Sequence, residues 1–323
     1  MTSRWRWALS RWSAPVAAGT FLVGAIGSAW WSAPAGIALP AARFSARWMG
    51  ATTILVYDGK SGILVDPYFS RLSRESVQDE LISPDTTRVN TALERAGVST
   101  LAVVMATRSN FDHAMDVPIV AARMNADVAG SRSTRNIARG LEFPEERIRT
   151  FEDGAFLAYG SFKLTAIESP RAPPASDPYA GEIAVPLTPP LHASAYRTGA
   201  NYALLVERAG RRVLIVSQPG FEPGKLIGVD ADIVFLSVAG LVARGEHFAS
   251  DYWRETVLTT GAKLVILTSW DDSARPLDQS TRPSSPHDFE TAVQWMKELG
   301  AIDGVDVRVP HAFEHIDLLA PLR

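Results

Sequence analysis

An aspartate followed directly by a histidine, Asp112-His113, lies in the stretch VVMATRSNFDHAMDVP, residues 103–118. Carboxylate oxygen and imidazole nitrogen are ligands that zinc, iron and manganese accept, and the two groups also move protons in catalysis. The same loop carries Arg108 and Asn110. Arginine stays protonated at any usable pH and cannot ligate, while an asparagine offers a weak oxygen at best. Further candidates are Asp66, which ends an apolar run, the pair Asp271-Asp272, and six histidines: His113, His192, His247, His287, His311 and His315. Cysteine is absent, which removes thiolate ligands, thiol nucleophiles and disulfides together. No G-x-S-x-G, P-loop or strand-linked G-x-G-x-x-G is present.

Each of these residues also has a purely structural role open to it. Asp112 suits the N-cap of a helix beginning near Ala114. His113 suits a hydrogen-bonded interior position, and Arg108 an exposed one. Asp271-Asp272 reads as a solvated pair, and His311 and His315 as structural. Both kinds of reading stay open at this point.

The elements that must position these residues are legible in the patterning. TTILVYDG and SGILVDPYFS are β-branched runs joined by DGKSG, the signature of a hairpin. LAVVMAT, 101–107, is a continuous apolar run typical of a strand buried on both faces, and it delivers the loop at 107–116. NTALERAGV is helical and ends at Gly97; DVPIVAARMN is helical; ADVAGS is a strand; STRNIARGL is a helix started by Ser133 or Thr134. FKLTAIES, the pair NYALLVE and RVLIVSQ, ADIVFLSVAG and AKLVILTSW follow as strands, with a helix near SDYWRETVLTTG. A last helix, DFETAVQWMKELG, places Phe289, Val293, Met296 and Leu299 on one face, with Gly300 suited to a left-handed cap. Hairpins, then βα units, then hairpins and βα units again imply two mixed sheets with helices outside, an α/β chain in αββα layers.

Composition narrows the function classes. With 46% hydrophobic and 21% charged residues and a net charge of −3, the chain has no basic block for nucleic acid. The N-terminus is different in kind: Arg4, Arg6 and Arg11 precede an uncharged stretch from Trp12 to Ala42. That order is expected of a signal peptide or membrane anchor over 1–42, hence an exported or envelope location, with the remaining domain at 43–323. The proline-rich stretch from Ser169 to Pro190 reads as a surface loop.

ATRSNFDHAMD resembles the His-x-His-x-Asp-His loop of the metallo-β-lactamase superfamily. The resemblance extends along most of 44–318: WMGATTILVYDGKSGILVDPYFSR is similar to the opening hairpin with Asp66 at its end, NYALLVERAGRRVLIVSQPGF to the strand pair bearing the bridging carboxylate, and LVILTSWDDSARPL to the late strand bearing the last histidine. The resemblance implies the four-layer αββα sandwich of that superfamily. It also implies a two-metal centre of zinc, iron or manganese that delivers hydroxide to an ester, lactone, amide or phosphoester. Position by position, most implied ligands are replaced. The first two histidines become Arg108 and Asn110, the mid-chain histidine becomes Arg171 (His192 is a less natural substitute), the bridging carboxylate becomes Gln218, and the final histidine becomes Ser269. Asp112 and His113 survive, too few for a catalytic zinc, which needs at least three protein ligands.

Two functions follow as expectations. One is a hydrolase-like protein with a degenerate metal site, Asp112 as catalytic residue and Asp112 and His113 as ligands of one metal. The other is a metal-free pseudoenzyme that binds an anionic small molecule, or acts as a scaffold, through an Arg/Asp/His pocket centred on Arg108 and Arg171.

Overall fold

Strand β1 (Ser45–Trp48) runs antiparallel to β2 (Ile54–Tyr57), and β2 turns back on β3 (Gly62–Val65). The DGKSG turn closes that hairpin because the Asp58 carboxylate accepts the backbone N–H groups of Lys60 and Ser61, each at 2.7 Å. The computed structural model describes residues 44–169 and 179–322; the segment 1–42 and Arg171 lie outside the described residues. Helices α1 (Arg74–Asp79) and α2 (Thr86–Ala96) follow, α2 ending at Gly97 with φ 62°. Next come β4 (Leu101–Met105), a single turn α3 (Phe111–Ala114), α4 (Val117–Met124), β5 (Asp127–Gly130), α5 (Arg132–Gly140) and β6 (Ile148–Thr150). Strands β3 to β6 are parallel, as the crossover helices require.

The second sheet repeats the plan. Strands β7 (Phe156–Tyr159), β8 (Phe162–Glu168), β9 (Tyr202–Arg208) and β10 (Arg211–Val216) are antiparallel, and β11 (Ile233–Ser237), β12 (Leu264–Thr268) and β13 (Asp306–Arg308) continue in parallel from β10. Helices α6 (Glu246–Trp253) and α7 (Pro286–Asp303) make the crossovers. A short final strand, β14 (Ile316–Asp317), returns to β1, so that the first sheet reads β14-β1-β2-β3-β4-β5-β6.

Period-two alternation sorts the side chains into layers. Ile54, Val56, Ile63, Val65, Val103 and Met105 point inward and meet Leu204, Val206, Val213, Ile215 and Phe235 of the other sheet. The outward set of the first sheet, Leu55, Leu64 and Val104, packs under α2 and α4; that of the second, Leu214, Val234 and Val265, packs under α6 and α7. The result is the αββα sandwich expected from the sequence. No helix among the described residues is long and apolar enough to cross a membrane.

Two local expectations need correction. The α5 helix is capped by Ser131, whose hydroxyl accepts from Thr134 N, rather than by Ser133 or Thr134. Helix α7 does not stop at Gly300; it continues to Asp303, and Gly304 takes the left-handed position. Gly300 instead permits close packing, since a Cβ there would lie 2.7 Å from the Val305 carbonyl oxygen. Strands β6 and β7 lie at sheet edges with half-exposed side chains and gave no clear apolar pattern.

Candidate functional site

The parallel strands of the two sheets direct the loops after β4, β10, β11 and β12 toward one cleft of about 320 Å³. Crevices beyond the carboxyl ends of strands are where α/β folds bind their ligands. Arg108, Asp112, His113, Gln218 and Ser269 all line this cleft, together with the turn at Ala51-Thr52 and the first turns of α7. Five of the sequence-derived positions, drawn from three distant loops, are thereby brought together.

Arg108 sets the arrangement. Its Nη1 donates to Gln218 Oε1, and its Nη2 lies 3.6 Å from Asp112 Oδ2. A guanidinium has only donors, so Gln218 must present its oxygen to it. The Gln218 Nε2 amide then faces away, and among the described residues it has no hydrogen-bond partner. The neighbouring Ser217 Oγ and the Trp270 Nε1, both from cleft-lining residues, are likewise buried without a partner among the described residues.

His113 is fixed from behind. Its Nδ1 lies 2.9 Å from Asp66 Oδ2, a carboxylate that also accepts Thr107 N at 2.7 Å and Thr107 Oγ1 at 2.6 Å. Asp66 is therefore a fully buried orienting group, held at φ 48°, and not an open ligand. The second ring nitrogen, Nε2, is 3.8 Å from Asp112 Oδ2. Asp112 itself lies in the first turn of α3 and does not cap it; the cap position belongs to Asn110.

Asn110 turns away from the cleft, its Nδ2 donating to Tyr196 O at 3.2 Å. Ser269 lines the cleft, but its hydroxyl donates back to Ala51 O at 3.3 Å. His192 is exposed and does not contribute to the cleft. Sequence reasoning treated Asp271 as solvated, whereas it is buried: Oδ2 takes Arg71 Nη1 at 2.8 Å and Oδ1 takes Ala51 N at 2.7 Å. Arg71, Ser217, Trp270, Arg244 and Asp288 were not anticipated. The TSWDD motif that held Trp270 and Asp271 was visible, but nothing local showed that Arg71 would meet it.

The donor set does not fit the two-metal centre that the motif resemblance implies. Among the described residues no group of three or more histidine, cysteine or carboxylate side chains converges on a point. The first ligand position carries a permanent cation bonded to the amide that replaces the bridging carboxylate.

No family model matches the sequence, and no curated protein matches it. Solved structures do. A metallo hydrolase from Ignicoccus hospitalis superposes with a TM-score of 0.51 at 11% identity, covering 84% of this chain and 97% of that one. The isothiocyanate hydrolase from Delia radicum gut bacteria gives 0.50 at 13% identity, over 84% and 98%. CmlA, a diiron β-hydroxylase from Streptomyces venezuelae, gives 0.53 at 13% identity, over 84% of this chain and 53% of that one. The chain has the metallo-β-lactamase fold, and proteins named as metallo- or metal-dependent hydrolases are among its structural neighbours.

Proposed function

We propose that this chain uses the metallo-β-lactamase fold without its metals, as a protein that binds a small anionic ligand in the cleft around Arg108. The observation that carries the reading is Arg108, a permanent cation on the cleft lining at the position where the motif resemblance implies the first metal ligand, donating to Gln218 where it implies the bridging carboxylate. A guanidinium held there favours an anionic group over a metal cation.

The test combines metal content with binding. Protein purified without chelator is analysed by elemental mass spectrometry, and carboxylates are titrated calorimetrically before and after EDTA. The reading expects far less than one metal per chain and binding that EDTA leaves unchanged. Near-stoichiometric zinc, iron or manganese, or binding abolished by EDTA, would reject it.

A second reading, hydrolysis of an ester, lactone or phosphodiester, is favoured by one observation: Asp112 and the Asp66-oriented His113 both line the cleft. EDTA-sensitive turnover lost in Asp112→Asn would establish it in place of the first.

A further inference from the structure

We infer that the anionic group taken by Arg108 is the carboxylate of a small α-amino acid, whose ammonium is taken by Asp112; the inference rests on the reading of Arg108 above. The charge of the cleft points there. Its ionic side chains are Arg108 and Arg244 against Asp112 and Asp288, while Asp271 is already paired with Arg71 at 2.8 Å. With two charges of each sign, the lining as a whole draws in neither anions nor cations by its net field. It matches a molecule that carries both signs itself.

The spacing of two of these charges makes the match specific. Arg108 Nη2 and Asp112 Oδ2 stand 3.6 Å apart, and both side chains reach the cleft, 13% and 34% exposed. At that separation they attract each other but form no hydrogen bond, so a ligand can bond to both. The head group of an α-amino acid holds a carboxylate and an ammonium on one carbon, about as far apart as the guanidinium and the carboxylate here. Laid alongside in the opposite sense, its carboxylate accepts from Arg108 and its ammonium donates to Asp112, two charge-assisted contacts. A carboxylate without the ammonium would meet Arg108 and be repelled by Asp112 in the same place, and phosphate more so; a bare amine would be repelled by Arg108. Ser273, Ser284 and Ser285 add hydroxyls to the lining, which suits a hydrophilic head group. A cavity of about 320 Å³ is near the small end of ligand pockets, which run roughly 300–1,000 Å³.

The experiment is a calorimetric titration of the full chain with L-alanine, with propionate, which lacks its ammonium, and with ethylamine, which lacks its carboxylate. It is repeated on Asp112→Asn, which keeps the size of the side chain and removes its charge. L-alanine is expected to bind at least tenfold tighter than either analogue. Asp112→Asn should weaken L-alanine at least tenfold and strengthen propionate, so that the preference between the two disappears. If propionate binds the native chain as tightly as L-alanine, the amino acid is wrong while anion binding stands. A preference for L-alanine that survives in Asp112→Asn overturns the assignment of the ammonium to Asp112. If ethylamine binds as tightly as L-alanine, or if no probe binds, both readings fall. The three probes are compared on the native chain first, so an unfolded variant does not remove the test.

Discussion

Arg71 and Asp271 are 200 positions apart in the chain and form a 2.8 Å ion pair in which both side chains are at most 2% exposed. The pair ties the segment after β3 to the loop after β12, and Asp271 also holds Ala51 N at the cleft rim. Removing one partner of a buried pair leaves the other charge uncompensated, at a cost of about 3–5 kcal/mol. Asp271→Asn is therefore expected to lower the unfolding free energy by that amount in denaturant titration. The double variant Arg71→Met/Asp271→Leu should recover most of the loss. Equal destabilisation in both would show that the charge is not the cause.

Arg108 gives a prediction about binding rather than stability. A charge-assisted hydrogen bond is worth about 1.5–3 kcal/mol, so Arg108→Met should weaken carboxylate binding by roughly tenfold to a hundredfold. Arg108→Lys should restore only part of it, because an ammonium lacks the planar fork that reaches Gln218 and Asp112 together. Calorimetric titration of the three proteins with the same carboxylates reads this directly. Unchanged affinity in the methionine variant would remove Arg108 from the site.

Asp116 provides a pH signature. Its fully buried carboxylate accepts Phe69 N at 2.7 Å, Ser70 N at 2.8 Å and Ser70 Oγ at 2.5 Å. Burial nonetheless dominates and pushes the carboxyl up from 3.8 to about 6. The folded chain thus holds this proton more firmly than the unfolded chain. The resulting stability is fully present below about pH 4 and is lost as pH rises through about 6, in all about 3 kcal/mol. The difference in unfolding free energy between the native chain and Asp116→Asn should fall by that amount from pH 4 to pH 7. A flat difference would exclude the shift.

Gly300 inverts the usual helix-propensity expectation. Alanine in a helix interior normally gains about 1 kcal/mol over glycine. Here the added Cβ would meet Val305 O at 2.7 Å and Val307 Cγ2 at 2.6 Å. Gly300→Ala should lower the melting temperature; a rise would mean that β13 can move aside at little cost.

Elements with a strong local period could be read directly from the residues. The β2–β3 hairpin followed from alternation around DGKSG, and β4 from an unbroken apolar run ending at the functional loop. The convergence of Arg108, Asp112, His113, Gln218 and Ser269 was legible through the motif resemblance, which singled out these positions in the loops that follow such strands. Long-range choices were not legible. Whether Asp271 faces water or Arg71 depends on a residue 200 positions away. Asn110 occupies a ligand-like position in the motif, yet Tyr196 O draws its side chain elsewhere. Edge strands such as β6, half-exposed on both faces, carry no burial pattern to detect.

The pairing of β1 with β14 has a consequence for synthesis. Ala46 sits opposite Ile316, and Leu318 N bonds to Phe44 O at 3.1 Å. The first strand to leave the ribosome among the described residues therefore waits for nearly the whole chain before its outer edge is covered. Until then it presents an open row of backbone donors and acceptors, the surface through which nascent chains associate. A chain cut before Ile316 should scatter more light on refolding than the complete one. The two residues of β14 act as a latch that closes the sheet last.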